Sequence, residues 1–415
     1  MTIKTLLRQL LVTILAFSWF VSIAASDNQG NRTFNAGLKI ISFDYTYDKK
    51  KEIITVAIWY PTFEKPARFF YHKGNIYERY ESKLAVDASI VKDHGPFPLI
   101  LFSHGAYGDG FSSSFLTEYL ARHGYIVVAP DFKDTRGPEY TEQIAFSRIK
   151  GGNTASPVHV LRIAKQFVID MEANRNLLFW YMAKYRLKPS SFVIDRMLEL
   201  NRDKNSFFYQ CIDEKQIGMC GHSLGGLTTM GKIGAHPEPE FKDTRIKAGL
   251  MLSAPAYPFE NTINNIDLFI MVMRGDNDPA NLGGVLGLDR KLVYEKANPP
   301  KYYIVLKNAT HFCFTNRVCG GLPLYQATEI NIQAKAICEY SLAFFERYLC
   351  GSVSAENDLK KVSPAIVYYE SEDRPGGIFQ QGKEPLVTRG ISDAIREEMR
   401  KELKEKIEEK KGRDK

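Results

Sequence analysis

One serine, Ser223, lies in the run Cys220-Gly221-His222-Ser223-Leu224-Gly225-Gly226, and its surroundings make it a candidate nucleophile. Asp213 to Met219 reads as a short buried strand, and Leu227 to Ala235 reads as a helix. A strand-to-helix turn of the Gly-x-Ser-x-Gly kind holds its serine in a strained backbone conformation and lifts the hydroxyl clear of the sheet. Glycine is needed at 221 and 225 because a side chain at either would meet the neighbouring strand or helix. A serine hydroxyl attacks a carbonyl only with a base to take its proton and a carboxylate to orient that base. Of the eight histidines, His104 and His222 sit inside glycine motifs, where each is expected to bond loop backbone. The others precede Ser223 or, like His236, follow its helix too closely, which leaves His311 as the base. Two carboxylates follow the apolar run Leu268 to Arg274, in Gly275-Asp276-Asn277-Asp278, and either can serve.

These groups need elements to carry them. Pro98 to Ser103 is a continuous apolar strand that ends in His104-Gly105-Ala106-Tyr107-Gly108. Lys301 to Leu306 is another strand, followed by the loop that holds His311. Together with Ile58-Trp59-Tyr60-Pro61 and Gly124 to Asp131, these segments resemble the α/β-hydrolase superfamily. Within it the chain is similar to the platelet-activating-factor acetylhydrolase-like and predicted dienelactone-hydrolase-like serine esterases. The matching pieces are spread from Gly37 to Leu349.

The resemblance implies a mostly parallel central sheet with helices on both faces and a helical insertion before the nucleophile. It implies the chain order nucleophile, acid, base seen here, with backbone amides of Ala106 and Leu224 as oxyanion donors. The spacing Gly275-x-x-Asp278 is similar to the superfamily pattern, so the resemblance points to Asp278 as the acid and leaves Asp276 to cap the turn. Serine at 223 argues against dienelactone hydrolase chemistry, which that family runs with cysteine. In the acetylhydrolases the acid follows the strand after the nucleophile helix. Here that segment is Gly249-Leu250-Met251-Leu252-Ser253-Ala254-Pro255, with Ser253 in the aspartate's place, so the acid is expected one strand later.

The implied activity is carboxylic ester hydrolysis with no cofactor and no metal. Acyl and alcohol groups stay open among short-chain esters, acetylated phospholipids, longer phospholipids and polyesters. An amidase or peptidase on the same triad, and a catalytically silent binding protein on the same fold, are the competing readings.

The 415 residues fit one such domain with insertions, and 44% apolar residues supply a core. The net charge is +7, two of it from Lys4 and Arg8, leaving 7 − 2 = +5 beyond the leader; so mild a balance makes no case for nucleic acid and none against a membrane surface. Residues 1–26 read as a secretory signal peptide: a basic start, an apolar run from Leu10 to Ile23, and small residues Ala24-Ala25-Ser26. The mature protein is then exported, secreted or periplasmic, with 27–350 as the hydrolase domain and 351–415 as a C-terminal extension. Six cysteines allow 15 pairings. A bridge between Cys313 and Cys319 would stiffen the segment behind His311, whereas Cys220 reads as a packed free thiol. The insertion, about 135–205, reads as a polar loop from Thr135 to Ser156, then helices at 158–169, 176–185 and 191–201. The middle helix is expected either to cap the site or to cover the sheet with its aromatics. Residues 391–411 read as a charged, solvated helical tail. Nothing in the sequence sets the oligomeric state.

Overall fold

The computed structural model describes residues 33–47, 49–73, 78–106, 108–132, 175–278 and 291–384, together with residue 405. Its strands are β1 (Asn35–Tyr47), β2 (Lys50–Thr62), β3 (Ala67–Lys73), β4 (Glu78–Val86), β5 (Phe97–Ser103) and β6 (Ile126–Pro130). They continue with β7 (Ile212–His222), β8 (Ile246–Leu252), β9 (Phe269–Gly275), β10 (Lys301–Leu306), β11 (Ile366–Glu372) and β12 (Ile378–Gly382). All lie in one sheet of order β12-β11-β10-β9-β8-β7-β5-β6-β2-β1-β4-β3.

Strands that are apolar along their whole length must be covered on both faces, and β5, β6 and β10 are buried at every position. The block β6-β5-β7-β8-β9-β10 is parallel throughout. Antiparallel strands flank it, β2 against β6 and β11 against β10. Side chains alternate between faces with period two. Leu99, Leu101, Ile126 and Val128 join the core on one side; Ile100, Phe102, Val127 and Ala129 join the other. The first core is covered by α3 (Lys188–Arg202) and α4 (Leu224–Met230), the second by α1 (Ser114–Arg122) and α7 (Ile332–Tyr348). The fold is the α/β-hydrolase architecture expected from the sequence. Strand order reverses direction at β5, whose neighbours β6 and β7 both follow it in the chain. The crevice beyond the carboxyl ends of β5 and β7 is therefore the switch point where open α/β sheets bind ligands.

The helices expected at 176–185 and 191–201 form one run instead: α2 (Arg175–Met182), a π turn (Ala183–Leu187) and α3. Pro189 lies inside this run, two residues past the π turn, with Leu187 and Lys188 both helical, and the chain passes through it without a break. Phe179 packs on His236 and Phe259, covering the core, while Trp180 is exposed. The helix expected from Leu227 begins at Leu224, directly after the serine, and ends in a π turn, Gly231–Ala235. Residues 366–382, outside the family resemblance, supply β11 and β12. The leader, the 135–156 loop, the 158–169 helix and, apart from residue 405, the charged tail lie outside the described residues.

All six cysteines are free thiols, so Cys313 and Cys319 are not bridged. Cys313 instead turns its sulfur back to accept the Thr310 N–H at 3.2 Å, closing the short turn that begins at His311. Cys319 is packed in the apolar core.

A buried polar network fastens the β3–β4 hairpin to α1. The Trp59 indole donates to Tyr71 Oη at 2.8 Å, and Tyr71 donates to Glu118 Oε1 at 2.7 Å. Ser82 and Arg122 donate to Glu118 Oε2 at 2.6 and 2.7 Å. Burial nonetheless holds the Glu118 carboxyl above its usual 4.5, with Arg122 opposing. A carboxyl raised on folding stabilises the fold below its unfolded pKa and loses that contribution as pH rises through the folded value. Compared with wild type, Glu118→Gln is therefore expected to gain relative stability as pH climbs above 4.5, read from urea unfolding at several pH values.

Candidate active site

The turn that carries Ser223 is built from backbone strain. Ser223 follows β7 directly with φ 54° and ψ −118°, a conformation non-glycine residues rarely hold. It is pinned from both sides: its N–H donates to Leu252 O at 2.9 Å, and its carbonyl accepts from the Leu227 N–H at 3.1 Å. The glycines permit contacts that no other residue allows. A Cβ on Gly225 would stand 1.8 Å from Ser103 O, and one on Gly221 would stand 2.3 Å from Gly225 O. The end of β5 thus presses against the first turn of α4. A Cβ on Gly105 would lie 3.3 Å from Ser223 Cβ, which puts the loop carrying Ala106 beside the serine. The Ala106 side is exposed, and the N–H of Leu224 is among the donors that a helix's first turn leaves without intrahelical partners. Cys220, three residues before Ser223 in β7, is buried with its thiol pushed far above the ordinary range.

The other two groups meet across the ends of β9 and β10. His311 Nδ1 donates to Asp278 Oδ2 at 3.1 Å, and Ser253 Oγ donates to that same oxygen. With its proton on Nδ1, the ring presents Nε2 as an acceptor. Asp276 sits elsewhere: its Oδ1 accepts the Ala309 N–H at 3.1 Å. The Asp276 and Asn277 N–H groups donate to Leu306 O and Ala309 O, both at 3.0 Å. A Cβ on Gly275 would stand 1.9 Å from Ala309 O. The turn after β9 and the loop after β10 are thus stitched together, with Asp276 as the stitch and Asp278 as the partner of His311. Ser253, where the resemblance would place an aspartate, holds the Asp278 carboxylate instead.

The two other motif histidines bond backbone, as expected. His222 Nε2 donates to His311 O at 2.8 Å, linking the serine turn to the base. His104 Nδ1 donates to Gly105 O at 2.8 Å, while its Nε2 accepts the Phe132 N–H at 2.9 Å. Arg186 was not anticipated. This fully buried side chain of the π turn donates from Nη1 to His104 O at 2.7 Å and to Ser103 Oγ at 3.3 Å. An arginine on a polar helix face reads as solvated, so the sequence carried no signal for it. Tyr107 and the segments 133–174 and 279–290 lie outside the described residues.

Residues 82–150 match the family model described as chlorophyllase. The chain is 24% identical over 278 residues to platelet-activating factor acetylhydrolase of Cavia porcellus, covering 63% of this chain and 59% of that protein. It is 22% identical over 371 residues to the same-named protein of Bos taurus, covering 77% of each. The chain thus spans under two thirds of the first relative's length. Among solved structures, a ferulic acid esterase from Streptomyces cinnamoneus superimposes with a TM-score of 0.50 at 17% identity, covering 80% of this chain and 94% of that one.

The geometry separates the two aspartates experimentally. Asp278→Asn is expected to lower kcat by ~10³–10⁴ by offering His311 the wrong partner. Asp276→Ala is expected to change kcat by less than about tenfold and to cost about 1 kcal/mol of stability, the worth of the one hydrogen bond it removes. Ester turnover and denaturant unfolding of both variants check the assignment.

Proposed function

We propose, from its place among the esterase-like α/β hydrolases, that this protein is an exported serine hydrolase of carboxylic esters. The observation that carries the reading is the His311–Asp278 pair at 3.1 Å on loops bracketing a strained serine turn. Ser223 attacks the ester carbonyl while His311 Nε2 takes its proton. Asp278 holds the ring in the Nδ1–H tautomer and stabilises the imidazolium that forms. The amides of Ala106 and Leu224 receive the developing oxyanion, worth on the order of 3 kcal/mol per donor. His311 then protonates the leaving alcohol, giving an acyl-enzyme. Water, deprotonated by His311, repeats the attack and frees the serine.

Ester cleavage is favoured over amide cleavage because the similar proteins are named as esterases and acetylhydrolases. Their names do not extend to one acyl group here, since the acid sits after β9 with a serine in the other position. The substrate class is therefore a small-molecule or lipid carboxylic ester, including acetylated phospholipids. Export rests on the basic and apolar leader of residues 1–26. No helix among the described residues is long and apolar enough to cross a membrane.

A p-nitrophenyl ester series from acetate to palmitate, with a matched anilide, tests the reading on the protein and on Ser223→Ala. Turnover is expected on at least one ester, none on the anilide, and a loss of 10³-fold or more in the variant (roughly the scale of removing a triad member). The chain-length optimum then reports the acyl pocket. Ester turnover equal in both proteins, or absent from both, would overturn the proposal; anilide turnover lost with Ser223 would make the protein an amidase.

A further inference from the structure

We infer that Arg186 is a positioning residue for the oxyanion hole, acting with His104 to aim the Ala106 N–H from the helical insertion. The inference rests on the serine-hydrolase reading above and adds a residue to it.

The argument begins with a peptide plane. In a trans peptide the carbonyl of one residue and the N–H of the next point in opposite directions. The Ala106 N–H is therefore aimed by whatever holds the Gly105 carbonyl. Two donors hold it: the Gly108 N–H at 3.1 Å and His104 Nδ1 at 2.8 Å. His104 can donate there because Phe132 N–H occupies its Nε2 at 2.9 Å, leaving the proton on Nδ1. The preceding carbonyl, that of His104, accepts from Arg186 Nη1 at 2.7 Å. Both carbonyls leading into the Ala106 amide are thus anchored by side chains, one neutral and one charged.

Arg186 reaches this loop from the other side of the crevice. It lies in the π turn between α2 and α3, and such single-turn bulges concentrate at functional sites. The same turn touches the second oxyanion element: a Cβ on Gly231, just past α4, would stand 2.9 Å from Leu187 Cδ2. One five-residue turn therefore meets both the Ala106 loop and the helix that begins at Leu224. The guanidinium also lies 4.6 Å from the Phe132 ring, whose residue supplies the N–H that sets the His104 tautomer.

A merely structural arginine would be poorly placed here. Burying a guanidinium costs more than an apolar side chain of similar volume in the same space. What the charge supplies at this position is a strong bond to a loop carbonyl, and it pins the loop whose next amide faces the reacting oxygen.

The test compares Arg186→Met and Arg186→Lys with wild type on the best ester of the series. Rates are normalised to Ser223 sites titrated with a fluorophosphonate. Per titrated site, kcat is expected to fall about 10- to 100-fold in Arg186→Met, less than the ~10²–10³ lost with an oxyanion donor itself. KM should stay within about threefold, because ground-state binding is untouched. The Ki of an alkyl trifluoromethyl ketone should rise by the same factor as kcat falls, since its serine adduct places an oxyanion in the hole. Arg186→Lys, which keeps a donor and the charge, should recover part of the loss. Per-site kcat within twofold of wild type in both variants would overturn the inference. So would a loss seen only as fewer titratable sites and a lower thermal midpoint, the sign of a purely structural role. If Arg186→Met fails to fold, the ketone Ki and per-site kcat of Arg186→Lys decide, with an unchanged Ki overturning the inference. Ester turnover that survives Ser223→Ala would instead mark failure of the hydrolase reading.

Discussion

The site depends on how closely the end of β5 approaches the turn after β7. The Ser103 carbonyl lies where a Cβ on Gly225 would be, at 1.8 Å, and the Gly225 carbonyl lies 2.3 Å from where a Cβ on Gly221 would be. No residue larger than glycine fits at these two points. The contact brings the loop that carries Ala106 beside the serine and starts α4 immediately after it. It also leaves Ser223 in a backbone conformation that costs about 1–3 kcal/mol and persists only because its surroundings over-determine it. The bonds to Leu252 and Leu227 and the packed strands on either side are those surroundings.

Much of this could be read from residue types. Continuous apolar runs gave the central strands, because a strand buried on both faces has little choice of composition. The glycine spacing around 223 and the positions of Asp278 and His311 after successive strands carried the candidate triad, though its catalytic role rests on experiment. Other features were not readable for identifiable reasons. The β3–β4 hairpin and β12 lie at the sheet's margins, where exposed residues blur the alternation that marks a strand, and β11 buries the polar Glu370 and Ser371, which do not read as core. The continuous 175–202 run reads as two helices in the sequence because the π turn at Ala183–Leu187 shifts the 3.6-residue periodicity between them. The register that turns Arg186 inward is set by a π turn, which no periodicity of 3.6 foretells.

Rigidity here comes from polar bonds to backbone rather than from covalent links. The loops after β9 and β10 are joined by the Asp276 side chain and by N–H bonds to Leu306 and Ala309. His222 ties the serine turn to the base loop through His311 O. Cys313, which could have served a bridge, closes the turn behind His311 as a hydrogen-bond acceptor instead. Each of these bonds is worth only about 1 kcal/mol, but together they leave the loops few independent ways to move.

The acid's location follows from the same economy of contacts. A carboxylate at 253 would leave β8 at the strand next to the serine, whereas Asp278 arrives one strand farther out and must be brought back to the histidine. Two features do this. The stitching of the β9 and β10 loops fixes the backbone that carries Asp278, and Ser253 donates its hydroxyl to the oxygen that also accepts from His311. A buried carboxylate oxygen with two donors is well satisfied, and removing either donor would take a hydrogen bond from a buried charge. The Ser253 hydroxyl thus helps bring the Asp278 carboxylate back to His311 from one strand farther out.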